Sequence, residues 1–102
     1  MATKRKAKKS TARQEAADES TSSERLTALV EESVALARIV AKNPSAPVSL
    51  LRDLSRSEDE ATREGVVLNP SAPYDVLSLL EEQFPELFLN NPALKLYNSI
   101  KP

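Results

Sequence analysis

Asn43-Pro44-Ser45-Ala46-Pro47 recurs residue for residue as Asn69-Pro70-Ser71-Ala72-Pro73, 26 positions further along the chain. The likeness runs past the identical block. Val40 matches Val66, Ala41 matches Val67, Val48 matches Tyr74, Leu50 matches Val76, Leu51 matches Leu77 and Leu54 matches Leu80. A third, degraded copy stands at Asn91-Pro92-Ala93, where Leu94 follows and the second proline is lost. A period of 26 falls within the roughly 20–50 residues of solenoid repeats. Each unit reads as a helix, an Asn-Pro stop and a short second helix opened by Ser and Pro. Neither helix can bury its apolar side alone, so consecutive units stack and share one core.

The helices follow from the same punctuation. Pro44 drives the residue before it out of the α region, so the first helix ends at Asn43. Upstream, Leu26, Leu29, Val30, Val34, Leu36, Ala37, Val40 and Ala41 share one side at helical spacing, with Arg25, Glu31, Glu32 and Arg38 opposite. This predicts a single helix over 24–42, opened by a capping box of Thr21 with Glu24. Ile39 falls among the polar positions, either touching a second neighbour or exposed. A second helix is expected over 46–54, where Pro47 is tolerated in the first turn. A third opens at a Ser57–Glu60 capping box and closes at Asn69-Pro70. A fourth spans 72–83, burying Val76, Leu77 and Leu80, and Pro85 ends it. No window alternates as a strand, and the fold class is all-α.

Asn43 and Asn69, with Pro44, Pro47, Pro70 and Pro73, are read as repeat corners, and Asn91 and Pro92 as the degraded third. An Asn amide there can both donate to and accept from backbone groups left unpaired by the proline break.

These residues resemble the variant leucine-rich repeat, a bacterial family in which A-x-N-P-x-x-P separates a Leu-rich pair of short helices. The resemblance covers about residues 35–97. It rests on Ala41, Asn43, Pro44, Pro47, Leu51 and Leu54, and again on Asn69, Pro70, Pro73, Leu77 and Leu80. Arg63 suits the family's habitual Arg in that helix. Val67 departs from the favoured Ala, and residues 55–60 are longer and more charged than the pattern. The resemblance implies a short right-handed α-solenoid in which α-helices alternate with short 3₁₀-helices, here as two clear repeats and a degraded third. It also implies a protein-interaction role. At least one family member holds an iron–sulfur cluster in a Cys-bearing segment outside the repeats. This chain has no Cys and does not inherit that property.

Composition sets the outer limits. A chain of 102 residues allows one small domain. Its net charge of −1 hides six basic groups and no acid in residues 1–13, against eight basic and fifteen acidic groups in the rest. Residues 1–23 hold nothing larger than Ala apart from Met1 that could enter a core. They are expected to be a disordered basic and polar tail preceding a repeat domain over 24–102. Within the tail, Lys4, Arg5, Lys6, Lys8 and Lys9 could contact phosphates. They could equally serve an anionic surface, without an apolar anchor, or solubility alone. Without His or Cys there is no usual zinc site and no His or Cys catalysis. One glycine, Gly65, leaves no room for a Gly-rich phosphate loop. No apolar run approaches a membrane span.

Glu58, Asp59 and Glu60 suit a first helical turn better than a cation site, and Glu81-Glu82 reads as a solvated side. Tyr74 aligns with an apolar position and is expected to pack. Phe84, Leu87, Phe88 and Leu89 either pack on the second repeat or form a partner groove. Leu94, Leu96, Tyr97 and Ile100 either cap the C-terminal end or mediate self-association. The expectation is a cytoplasmic, non-enzymatic protein–protein interaction module without cofactor or metal. The alternative is a nucleic-acid-associated protein using its tail.

Overall fold

The computed structural model describes residues 11–94. Seven helices follow one another there: α1 (Ala12–Ala17), α2 (Ser23–Glu32), α3 (Val34–Ala41), α4 (Val48–Leu54), α5 (Glu60–Leu68), α6 (Tyr74–Leu80) and α7 (Pro85–Asn90). Residues 92–94 are helical as well, and no strand occurs among the described residues.

Every second helix stacks on the one before: α1 on α3, α3 on α5, α5 on α7. The helices between them lean on this spine, with α2 against α1 and α3, α4 against α3 and α5, and α6 against α5 and α7. The units are therefore α1–α2, α3–α4, α5–α6 and the start of a fourth at α7. One core runs through all of them, because each unit leaves an apolar side that its neighbour covers.

The predicted helix over 24–42 is two helices belonging to different units. Ser33, at φ −165° and ψ 157°, breaks it, and its hydroxyl accepts from the Leu36 N–H to open α3. Val34, now the first residue of α3, comes out 53% exposed instead of joining the core. Thr21 does not open α2. Ser22 does, accepting from the Arg25 N–H, while the Thr21 hydroxyl donates to the Glu15 carbonyl. Likewise Asp59 rather than Ser57 is the N-cap of α5. Pro85 starts α7 rather than merely ending a helix, standing in its first turn, where its missing N–H costs nothing.

The domain boundary at 24 is also corrected. Residues 12–17 form α1 with a complete capping box between Thr11 and Gln14, and Ala16 is fully buried. Alanine is small enough to let α1 settle closely on α3, which size-based reading of the tail overlooked. Residues 1–10 lie outside the described residues. The short helices are α-helical over seven residues each, not the 3₁₀-helices implied by the family resemblance.

Gly65 sets the spacing of α3 and α5. A Cβ there would lie 2.8 Å from Ala41 Cβ and 3.2 Å from Lys42 Cγ. The lack of a side chain lets these two helices pack closer than any other residue would allow.

Candidate functional site

Three turns at the helix ends form a ladder of side-chain amides along the stack. Asn69 donates through Nδ2 to the carbonyls of Ala41 (2.8 Å) and Asn43 (2.9 Å) in the preceding unit. Its Oδ1 accepts from the Ser71 N–H at 2.8 Å. Asn43 repeats this one unit earlier, donating to Ala16 and Asp18 at 2.9 Å each and accepting from Ser45 N–H at 2.8 Å. Asn91 repeats it one unit later, donating to Val67 and to Asn69, the latter at 3.0 Å, and accepting from Ala93 N–H at 2.7 Å. All three asparagines are at most 2% exposed. Each one closes its own turn and ties two carbonyls of the unit behind it, so the backbone groups freed by the proline break are satisfied.

A second tie runs beside the first. Ser45 Oγ donates to the Glu19 carbonyl and Ser71 Oγ to the Pro44 carbonyl, at 2.6 Å each. The identical pentapeptide thus supplies two inter-unit bonds from Asn and Ser, with the proline ending each long helix. Pro47 and Pro73 are the N-caps of α4 and α6. Pro44 and Pro70 occupy matching turns after Asn43 and Asn69, and Pro92 follows Asn91.

The ladder begins at Asp18, a residue the sequence reading left in the tail. Its Oδ1 accepts from the Ser20 N–H at 2.8 Å and the Ser20 hydroxyl at 2.7 Å, the same turn closure as in the asparagines. These bonds hold the Asp18 carboxyl below its ordinary range. Around it lies a full repeat without either proline. Leu26, Leu51 and Leu77 are equivalent, as are Leu29, Leu54 and Leu80, and none is more than 5% exposed. The signal was present in sequence as Ser20, Leu26 and Leu29, each 25 positions before Ser45, Leu51 and Leu54.

Ion pairs reinforce the stack from outside. Arg38 on α3 holds Asp59 at the start of α5 through two bonds of 2.9 and 2.8 Å, while Asp59 also accepts from the Thr62 N–H and hydroxyl. The Arg38 guanidinium first, and Thr62 second, keep the Asp59 carboxyl far below its ordinary value of 3.8. A carboxyl lowered in the folded state contributes stability above its unfolded value and loses it as pH falls below. Arg38→Gln is therefore expected to lower the urea midpoint most at neutral pH, with the gap to wild type narrowing below pH 3.8. A gap independent of pH would contradict this assignment. Glu58 and Glu60 are exposed beside Asp59, and among the described residues no group of His, Cys, Asp and Glu could hold a metal. Arg63 binds the Ser57 carbonyl at 2.6 Å and Gln83 at 2.9 Å, joining α5 to the turn after α6.

Two surfaces remain open. One is a shallow cleft of about 270 Å³ lined by Ala17, Arg38, Ile39, Lys42, Asn43 and Pro44; Ile39 is half-buried and packs against the core. The other is the side carrying the short helices. Val48 and Tyr74, the first residues of α4 and α6, occupy equivalent positions and are 45% and 61% exposed. Tyr74 was expected to pack; instead it lies on this surface with its ring edge-on to Phe88, centroids 6.4 Å apart. Leu79 on α6 is exposed too, and an Arg52–Asp75 ion pair bridges the two helices. Phe84 and Phe88 are buried in the core and Leu87 packs against it, whereas Leu89 is exposed. Leu94 is buried. The phosphate-contact candidates Lys4, Arg5, Lys6, Lys8 and Lys9, and the C-terminal Leu96, Tyr97 and Ile100, lie outside the described residues.

Stacked helical units tied by side-chain amides define a helical repeat module. The Leucine Rich Repeat Variant domain profile matches residues 10–67, more than half of the chain, and the chain belongs to that family. The match starts upstream of residue 35, where the resemblance in sequence begins, and takes in α1 and α2 as the structure does. Comparison with curated proteins and with solved structures gave no match. No helix among the described residues is long and apolar enough to cross a membrane.

Proposed function

We propose that the module is a non-enzymatic scaffold that binds another protein along the side carrying α4 and α6. The observation supporting this is the pair Val48 and Tyr74, apolar residues exposed at the same position of successive repeats. A solenoid that repeats an exposed apolar position presents a row, and rows of this kind serve as extended binding surfaces. Tyrosine supplies contact area with little rotamer entropy to lose. Leu79, on the same helix as Tyr74, is exposed as well, and the Arg52–Asp75 ion pair lies between the two helices. The spine helices instead carry charged residues outward, Arg38 on α3, Glu60 on α5 and Glu86 on α7.

A photo-crosslinking residue at position 74, compared in cells with one at position 60 on the spine, tests this reading. The expected result is a discrete cross-linked protein at 74, absent at 60 and lost when Val48→Asp is added. Equal labelling from both positions, or none at 74, would overturn it.

A further inference from the structure

The two ends of the stack differ in chemistry. At the position where Asn43, Asn69 and Asn91 each aim an amide at the unit behind, the first unit carries Asp18. With Oδ1 engaged by Ser20 in the same turn, its other carboxylate oxygen stands where the asparagines carry Nδ2. An ionised carboxylate only accepts hydrogen bonds. It cannot bind the carbonyl pair that every later asparagine binds, and it repels such a pair.

Two further positions change with it. Val40 and Val66 are fully buried on α3 and α5, and their equivalent on α1 is Glu15. Leu50 and Val76 are buried on α4 and α6, and their equivalent on α2 is Arg25. Where the inner units place an apolar pair, the first unit places the ion pair Arg25–Glu15, at 2.7 Å and partly exposed. At the other end of the described residues the inner-unit pattern is kept. Ala16, Ala41 and Val67, which supply one carbonyl to each rung, are fully buried by the following unit, and Leu89, the next in that series, is 61% exposed.

We propose that Asp18, with Glu15 and Arg25, closes the N-terminal end of the stack to a second copy of this chain, leaving the C-terminal end at Leu89 able to receive a repeat unit that carries an amide donor. Without the closure, the amide of one copy would reach the carbonyls beside Leu89 of another. That contact is head-to-tail, and such contacts generate open filaments rather than closed dimers. The carboxylate therefore makes the end of the ladder a stop, and the ion pair keeps the outer side of the terminal unit polar.

The test restores the inner-unit residues at the first unit: Asp18→Asn alone, and Glu15→Val, Asp18→Asn and Arg25→Leu together. Asp18→Asn keeps the Oδ1 that accepts from Ser20, so the fold is retained. Circular dichroism verifies this before sedimentation velocity is run at neutral pH over a range of concentrations. The expected result is a monomeric wild type and a triple variant whose weight-average mass rises with concentration past about twice the monomer. The single variant falls between them, and Leu89→Glu in the triple variant returns it to monomer. A wild type that itself forms head-to-tail chains overturns the proposal. So does a folded triple variant that stays monomeric, or one whose association survives Leu89→Glu.

Discussion

Asn69→Ala is expected to destabilise the chain by about 3–5 kcal/mol in urea unfolding, since buried hydrogen-bonding groups left without partners cost about 1–3 kcal/mol each. The substitution orphans the Ala41 carbonyl and the Ser71 N–H and takes one of two donors from the Asn43 carbonyl, which keeps the Ala46 N–H. Small domains are stable by only about 5–15 kcal/mol, so the variant stands near the limit of folding. Asn69→Asp separates the two halves of the role. It keeps an acceptor for Ser71 but removes the donor and sets a carboxylate against two carbonyls, so it is expected to fare no better than alanine. Asn90→Ala is the control. Asn90 is exposed, and its amide reaches only the Glu86 carbonyl of its own helix, so its loss is expected to change stability by less than about 0.5 kcal/mol. An Asn69→Asp variant as stable as wild type would show that donation along the stack carries no weight.

Removing residues 1–23 is expected to unfold most of the first two units. A chain starting at 24 matches the boundary that composition suggests, but it deletes α1 and the Ala16 and Asp18 carbonyls. The Asn43 amide loses both acceptors, and the side of α3 that α1 covers is bared to water. Lost packing and the lost hydrogen bonds together exceed about 4 kcal/mol, against full retention of the fold when only residues 1–10 are removed. Circular dichroism and urea unfolding of the two truncated chains distinguish these outcomes. Equal stability of the 24–102 and 11–102 chains would contradict the placement of α1 in the domain.

The inner units were legible in sequence because their signals are strong and local. Proline can only end or open a helix at Pro44, Pro47, Pro70 and Pro73, and Leu51, Leu54, Leu77 and Leu80 keep the helical spacing inside the copies. The outer unit was not legible for a physical reason. The first described repeat carries Glu15 and Arg25, both partly exposed, where the inner repeats carry buried apolar residues, and Asp18 where they carry asparagine. Those substitutions look like the composition of a tail. The break at Ser33 was hidden differently: Leu26 to Ala41 keeps helical periodicity across it, and only the serine cap at Leu36 distinguishes two helices from one. Tyr74 aligned with Val48 correctly, yet the shared position proved to be exposed, since alignment shows equivalence and not burial. The candidate binding row was therefore visible as a repeat and invisible as a surface.

Exchange of the side-chain amide protons, read by nitrogen-15 NMR, examines the stacking most directly. Asn43, Asn69 and Asn91 are expected to give three slowly exchanging Nδ2 groups, with protection set by unfolding of the stack, while those of Gln14, Gln83 and Asn90 exchange far faster. Amides of Asn43 and Asn69 that exchange as freely as Asn90 would mean that the duplicated turns do not hold successive units together.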